Sequence, residues 1–176
     1  TELEWILLSI ALVCVLFAGL STAMESALQS FSKSRAEGHL KDGVRSADKL
    51  YAITQDPAPF LNTALFLRMV LEVSAITLVG VVVFGRFADL WQRLLWTIAP
   101  MTLVSFVLLG VAARTLGRQH ADAIALRSAG LISVLTTVIG PIPSVLIWVG
   151  NAITPGLGFS DGPFNSEAEL RELVDM

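Results

Sequence analysis

Residues 5–28 of this chain read WILLSIALVCVLFAGLSTAMESAL, a nearly unbroken apolar run. About 20 helical residues cross the hydrocarbon core of a bilayer, which is roughly 30 Å thick. The run is too long for the apolar region of a signal peptide, and no basic segment precedes it. It therefore predicts a membrane-spanning helix at the start of the sequence.

The composition of the whole chain agrees with a membrane protein. Of the 176 residues, 54% are hydrophobic and 15% are charged, and the mean hydropathy is +0.70. Soluble domains carry about 25% charged residues. The net charge of −3 gives no indication of a nucleic-acid partner. Cys14, His39 and His120 show no disulfide or metal-ligand spacing, and no catalytic set of residues is evident, so we expect no enzyme.

Three further apolar stretches follow the first span. Residues 60–84 and 91–113 predict a second and a third membrane-spanning helix. The fourth stretch, residues 131–153, contains Pro141 and Pro143, and proline removes a backbone donor and clashes with the preceding turn. We therefore expect a bent interfacial or re-entrant segment there, in preference to a straight crossing. The predicted fold class is an all-α membrane protein with three transmembrane helices and this proline-broken segment.

The segment between the first two spans predicts two short cytoplasmic helices, at residues 29–55, broken near Gly43. Four residues at helical spacing share one face of the second of these helices: Val44, Ala47, Leu50 and Tyr51. Pro57 is expected to end this helix before the chain re-enters the membrane.

The distribution of basic residues predicts the orientation. The segments after the first and third spans hold eight of them: Lys33, Arg35, Lys41, Arg45, Lys49, Arg114, Arg118 and Arg127. The loop between the second and third spans holds only Arg86 and Arg93. Because Lys and Arg concentrate in cytoplasmic loops, we expect a multi-pass protein of the plasma membrane, a bacterial inner membrane, with its N-terminus outside and its C-terminus in the cytoplasm. Trp5, Trp91 and Trp96 then fall at the outer interface, which indoles prefer.

Polar residues in the first span form a candidate cation site. Ser21, Thr22, Glu25 and Ser26 fall on one helix face through spacings of three and four. Carboxylate and hydroxyl oxygens are hard ligands that suit Mg²⁺. The alternative is an interfacial glutamate that reaches water, with hydroxyls bonded back to their own helix.

The second span carries a candidate ion pair near its middle. Arg68 and Glu72 are four residues apart, so their side chains can pair along one helix face. Charged residues inside membranes usually face a bundle interior or a water-filled cavity. The pair therefore either locks helix packing or lines an ion pathway. Asn62 and Thr63, nearer the cytoplasm, are placed to meet the polar face of the first helix.

Four motifs in this order resemble the membrane domain of the CNNM/CorC magnesium-transporter family. They are Glu25-Ser26-Ala27-Leu28-Gln29-Ser30, Pro59-Phe60-Leu61-Asn62-Thr63, Arg114-Thr115-Leu116-Gly117-Arg118-Gln119-His120-Ala121, and Gly162-Pro163-Phe164-Asn165-Ser166-Glu167 with Leu170-Arg171-Glu172-Leu173-Val174-Asp175. The resemblance implies a homodimer in the lipid bilayer that transports Mg²⁺. It also implies a following pair of cytoplasmic CBS modules, often with a bound adenine nucleotide.

The resemblance also divides the chain. Residues 1–156 would form the CNNM-type transmembrane domain, and residues 157–176 a linker and the start of the CBS-pair region. Ser166 and Glu169 fit a capping box that opens a helix. Only about ten residues follow that point, too few for an independently stable helix, so we expect the natural protein to continue.

The family's ion-binding motifs are only partly kept in this sequence. The first survives as Glu25-Ser26-Ala27, with Met24 at its leading serine, and Asn62-Thr63 stand at the Ser-Thr positions of the second. Five further positions depart from the pattern: Arg68 and Met69 replace asparagines, Gly110 and Ala113 replace a glutamate and a proline, and Arg114 replaces a lysine.

These replacements lead to one hypothesis about the site. A guanidinium is permanently charged and would repel Mg²⁺, so Arg68, held by Glu72 and Glu25, would stand in for the ion. Two functions follow from the sequence. The chain is either a divalent-cation transporter with a rearranged site or a non-transporting scaffold or sensor of the same family.

Overall fold

The computed structural model describes residues 1–154, which are helical throughout apart from short connections. The helices are α1 (Glu2–Gln29), α2 (Lys33–Lys41), α3 (Ala47–Gln55), α4 (Ala58–Arg86), α5 (Leu90–Val104), a π-helical segment (Ser105–Ala113), α6 (Arg114–Gln119), α7 (Ala121–Ile139) and α8 (Pro141–Ile153). Within this part of the chain, four continuous helices are long and apolar enough to cross a membrane: Glu2–Gln29, Ala58–Arg86, Leu90–Gln119 and Ala121–Ile139. The predicted all-α membrane fold is confirmed.

The two longest α-helices, α1 and α4, pack side by side in opposite directions. At one end, Arg86 donates from Nε and Nη2 to the two carboxylate oxygens of Glu4, at 3.2 and 2.6 Å. At the other end, Ala64 of α4 packs in one cluster with Met24 and Ala27 of α1. We call these the Glu4 end and the Glu25 end of the bundle. Antiparallel packing brings the polar residues of both helices to the same end.

The third long helix, Leu90–Gln119, changes its packing partner along its length. Near the Glu4 end, α5 packs against α4, where Met101 and Ala75 are buried in one cluster. Beyond Pro100 the helix continues as the π-helical segment and then as α6, and both pack against α1. Long π-helical stretches are rare and are often found at functional sites. The helix thus diverges from α4 as it approaches the Glu25 end.

The segment between the first two spans folds as two short helices, as predicted. The break between α2 and α3 contains two residues with positive φ, Gly43 at 67° and Ser46 at 66°. Ala47 and Leu50 are buried. The prediction that Val44 shares a face of this helix is wrong, because Val44 precedes α3 and is 37% exposed. The left-handed turn at Ser46 changes the direction of the chain before the helix begins.

A buried cluster joins α2 and α3 to the long helices at the Glu25 end. We call it the juxtamembrane cluster; it comprises Met24, Ala27, Leu28, Phe31, Ala36, Leu50, Ile53, Leu61, Ala64, Ala121, Ala125, Ala129 and Ile132. At its margin Arg35 donates to Asp122 Oδ1 at 2.8 Å and to the carbonyl oxygen of Ser30 at 2.7 Å. These contacts fix α2 to the start of α7.

The fourth apolar stretch starts earlier than predicted. Helix α7 begins at Ala121, ten residues before the expected start at residue 131. Asp122 and Arg127 lower the hydropathy of this first part, but Ala121 and Ala125 recur at helical spacing and are buried in the juxtamembrane cluster. The expected break is present, because α7 ends before Gly140 and α8 starts at Pro141. The interfacial or re-entrant path of this pair stays a prediction.

The predicted linker and CBS-region start at residues 157–176 lie outside the described residues. So do the expected capping box and the motif that begins at Gly162. They stay predictions.

Candidate functional site

The four polar residues of α1 that the sequence grouped together are all buried. Ser21, Thr22, Glu25 and Ser26 lie near the Glu25 end, each at most 7% exposed. The hydroxyl groups of Ser21 and Thr22 each donate, at 3.0 Å, to the carbonyl oxygen four residues earlier in the same helix. This is the usual way in which a hydroxyl is satisfied within a helix. These two side chains therefore have hydrogen-bond partners without a bound ion.

The polar pair at the start of α4 lies at the same end of the bundle. Asn62 and Thr63 are buried, at 8% and 0% exposure. Thr63 Oγ1 donates to the carbonyl oxygen of Pro59 at 2.8 Å, again within its own helix. The antiparallel packing of α1 and α4 thus brings all six predicted oxygen-bearing residues to one end.

Glu25 is the charged residue at the centre of this region. Its Oε1 accepts a hydrogen bond from Gln29 Nε2 at 3.3 Å, while its Oε2 is buried and has no hydrogen-bond partner among the described residues. Two guanidinium groups, those of Arg68 and Arg114, interact electrostatically with the carboxylate. A buried charge must be balanced by a nearby opposite charge. Here two arginines from two different helices provide that balance.

The ion pair predicted in α4 is present. Arg68 Nε lies 3.7 Å from Glu72 Oε2, and both side chains are about four-fifths buried. Both also line a cavity of about 500 Å³ between α4 and the third long helix. Glu25 is not among the residues that line this cavity. Arg68 interacts electrostatically with both carboxylates, that of Glu72 and that of Glu25.

The two motif positions of the third helix fall on different parts of the site. Gly110 is in the π-helical segment and lines the cavity beside Arg68 and Glu72. Arg114, one turn further on, is the first residue of α6 and interacts with Glu25. Because the π-helical segment packs against α1, the start of α6 is held close to the Glu25 end.

Gly117, a residue of the third family motif, determines how closely α6 approaches α1. A Cβ atom at Gly117 would collide with the carbonyl oxygen of Ala23 and lie 2.8 Å from Cβ of Ser26. Only glycine fits at this crossing. Close helix crossings in membranes commonly use small residues, and the isolated glycine after Arg114 was the available signal in the sequence.

The site differs from a carboxylate-rich metal cage. Among residues 1–154, no group of three or more His, Cys, Asp or Glu side chains is placed to hold a metal ion. Mg²⁺ can be held by one or two carboxylates together with water, and Oε2 of Glu25 is one available ligand. The neighbouring Arg68 and Arg114 oppose a divalent cation at that position. A cation would have to displace at least one of these guanidinium groups.

Comparison with known proteins identifies the same family that the sequence motifs resemble. The sequence model of the family described as "Cyclin M transmembrane N-terminal domain" (CNNM) matches residues 9–176. Two mycobacterial relatives, UPF0053 protein Rv2366c of Mycobacterium tuberculosis and UPF0053 protein Mb2387c of Mycobacterium bovis, are each 36% identical over 166 residues. The alignment covers 94% of this chain and 38% of each relative, so the chain spans less than two fifths of their length.

Proposed function

The chain belongs to the CNNM family, and on that premise we propose that it is the membrane domain of a divalent-cation transporter or exporter whose cargo is Mg²⁺. The proposal is supported by a buried carboxylate at the Glu25 end with one oxygen that has no hydrogen-bond partner within residues 1–154. Buried hydroxyl and amide side chains from α1 and α4 surround that end. Oxygen-bearing groups of these kinds suit a hard cation such as Mg²⁺.

We further propose that the cation site is altered and that arginine takes the place of the ion. The single observation that carries this part is the electrostatic interaction of Arg68 and Arg114 with Glu25. Arginine stays protonated in proteins, so its charge cannot be removed to admit a cation. Glu72, with Oε2 at 3.7 Å from Arg68 Nε, offers a second partner when a cation displaces Arg68 from Glu25.

Mg²⁺ flux into proteoliposomes that contain the full-length protein tests both parts of the proposal. We expect Glu25→Gln to reduce flux at least about tenfold, because the variant removes the carboxylate from the proposed ligands. We expect Arg68→Asn to bind Mg²⁺ at least as tightly as the wild type, because a repulsive charge is gone. Arg86→Asn is the matched control, since Arg86 is exposed at the Glu4 end. Wild-type flux in Glu25→Gln would refute the transport site.

A second function is favoured by the same arginines. If Arg68 and Arg114 balance Glu25 permanently, the domain is a non-transporting scaffold or sensor of the family, regulated by a cytoplasmic CBS pair. This alternative requires that the folded wild-type protein shows no Mg²⁺ flux above that of empty liposomes. It also requires that Glu25→Gln destabilises the fold, because two buried guanidinium charges would lose their partner.

We also propose a homodimer in the plasma membrane, with the Glu4 end outside. Trp5 and Trp91 are exposed at the Glu4 end, where indole rings favour the membrane interface. The basic residues of α2 and α3 lie at the opposite end, as expected for the cytoplasmic side. Labelling of single cysteines with a membrane-impermeant maleimide in intact cells tests this orientation. Trp91→Cys should react and Lys41→Cys should not.

A further inference from the structure

Helix α7 presents one exposed face that changes from charged to apolar along its length. Arg127, Leu131, Val134 and Val138 follow one another at spacings of four, three and four, so they line one side of the helix. Arg127 is exposed, and the three apolar side chains are between 57% and 72% exposed. The opposite side of the helix is buried in the juxtamembrane cluster. We call this exposed stripe the α7 face.

Lys49 of α3 brings a second positive charge to the α7 face. Its Nζ and Cδ atoms lie 3.6 and 3.9 Å from the position that a Cβ atom on Gly130 would occupy. Gly130 comes three residues after Arg127, and residues at this spacing are neighbours on a helix surface. The lysine side chain therefore lies along α7, and its ammonium group is within about one helical turn of Arg127.

Neither of these two positive charges is balanced by a carboxylate of the described residues. The ion pairs within residues 1–154 join other side chains, and none includes Lys49 or Arg127. Asp48 precedes Lys49, but successive residues of a helix point about 100° apart. Asp122, the acidic residue of α7, is paired with Arg35. Two neighbouring like charges repel each other, so an anion placed between them is favoured.

The two basic residues lie at the depth where the spanning helices meet the membrane interface. Ala125 and Ala129, on either side of Arg127 in sequence, pack in one cluster with Leu28 and Leu61. Leu28 is next to the end of α1, and Leu61 is in the first turn of α4. The apolar part of the α7 face continues from this level into the bilayer, whether α7 crosses the membrane or turns back at its far end.

We propose that the α7 face binds an anionic phospholipid, with its phosphate between Lys49 and Arg127 and an acyl chain along the apolar part of the face. Lysine and arginine both form charge-assisted hydrogen bonds with phosphate oxygens. Basic pockets beside spanning helices bind anionic headgroups in this way. A zwitterionic lipid carries its own positive charge, which the two basic residues repel. The face therefore prefers a lipid of net negative charge, and that lipid bridges α3 and α7.

Retention of phosphatidylglycerol by the full-length protein tests this site. The protein is placed in nanodiscs of phosphatidylcholine and phosphatidylglycerol in equal amounts, and native mass spectrometry counts the lipids that stay bound after release. We expect the wild type to retain phosphatidylglycerol at least about tenfold more than phosphatidylcholine, because two basic residues act together. The double variant Lys49→Gln with Arg127→Gln should lose this preference.

A matched control removes the same charge elsewhere. Lys33→Gln with Lys41→Gln takes two exposed positive charges from α2 and should leave the preference unchanged. An equal loss in both double variants would mean that overall charge attracts the lipid, and it would overturn the site. A wild type that retains both lipids equally would also overturn it.

Gly130→Leu tests the position of Lys49 without a change of charge. The leucine side chain would occupy the space that Cδ and Nζ of Lys49 fill, and the flexible lysine would swing aside. We expect the preference for phosphatidylglycerol to fall at least about threefold. In Gly130→Ala the added Cβ makes ordinary contacts, so the preference should persist. A thermal midpoint near that of the wild type verifies that both variants fold, and an undiminished preference in Gly130→Leu would contradict the proposed site.

Inorganic phosphate distinguishes a lipid site from a site for free anions. Added in excess, it should leave phosphatidylglycerol bound, because it makes no contact with the apolar part of the α7 face. Displacement of the lipid by phosphate would overturn the assignment. Mg²⁺ flux enters none of these measurements, so failure of the proposed transport site leaves their expected results unchanged.

Discussion

The substitution Gly117→Ala tests the helix crossing that positions Arg114 beside Glu25. The added Cβ would lie 2.8 Å from Cβ of Ser26 and 3.1 Å from the carbonyl carbon of Ala23. Carbon atoms in contact normally lie about 3.5–4.0 Å apart. The required shift of α6 away from α1 is therefore on the order of 1 Å, and one of the two neighbours is backbone that cannot turn aside.

The expected change in the free energy of unfolding follows from two opposing terms. Overpacking costs about 1–3 kcal/mol, and a clash with backbone belongs to the upper half of that range. Alanine is about 1 kcal/mol more favourable than glycine inside a helix. Gly117→Ala should therefore destabilise the protein by about 1–2 kcal/mol. The displaced Arg114 should also interact more weakly with Glu25.

Equilibrium unfolding of the full-length protein in mixed detergent micelles measures this change. The matched control is Gly80→Ala, whose Cβ would meet Thr97 Cγ2 at 3.6 Å, an ordinary contact. We expect this control to be neutral or up to about 1 kcal/mol more stable than the wild type. The reasoning is refuted if Gly117→Ala is as stable as the wild type, or if both variants lose the same stability.

Three further perturbations test the connections around this core. Gly43→Ala should destabilise the α2–α3 turn by about 1–2 kcal/mol, because φ of Gly43 is 67° and a Cβ atom disfavours that region. Faster proteolysis between the two helices would measure this loss of stability. Asp122→Asn should raise the rate of amide hydrogen exchange in α2 by a modest factor, because it weakens the half-exposed ion pair with Arg35. Such a pair contributes about 0–1 kcal/mol to stability. Arg86→Gln should lower the thermal midpoint at low salt but not at high salt, because its ion pair with Glu4 is exposed and screened.

Each of these expectations has a contrary outcome. Unchanged proteolysis in Gly43→Ala would mean that the turn tolerates a left-handed alanine. Exchange in α2 that is unaffected by Asp122→Asn would mean that the juxtamembrane cluster alone holds this helix. A salt-independent loss of stability in Arg86→Gln would point to packing rather than charge.

The sequence predicted most of the fold because the bilayer restricts what an apolar run can become. Residues 5–28 need internal hydrogen bonds for every backbone group, and a helix of this length supplies them. The same reasoning located both ends of α4 to within two residues and the start of the third long helix to within one, although that helix continues six residues beyond its predicted end. Proline and glycine located the breaks near Gly43 and Pro141, since both residues act through the local backbone. The start of α7 was missed because Asp122 and Arg127 interrupt its hydropathy while alanines form its buried face.

The candidate site was predicted only in part. Periodicity placed Arg68 and Glu72 on one face of α4, since residues four apart are neighbours on any helix. It did not reveal that Arg68 interacts with Glu25 as well as with Glu72, because that depends on how α4 packs against α1. The cavity beside the ion pair arises from the π-helical segment, which has no simple pattern in the sequence.

The sequence by itself determined that the chain is a bundle of apolar helices with a few charges that lipid would not tolerate alone. Hydropathy and local spacing are properties of single segments, so they could be read without a partner helix. Only the tertiary structure decided which charges meet. It brought Arg114 to interact with Glu25 through the close crossing at Gly117, and it placed Arg68 and Glu72 on the wall of an open cavity. Contacts between segments distant in sequence depend on packing, which no single helical pattern encodes.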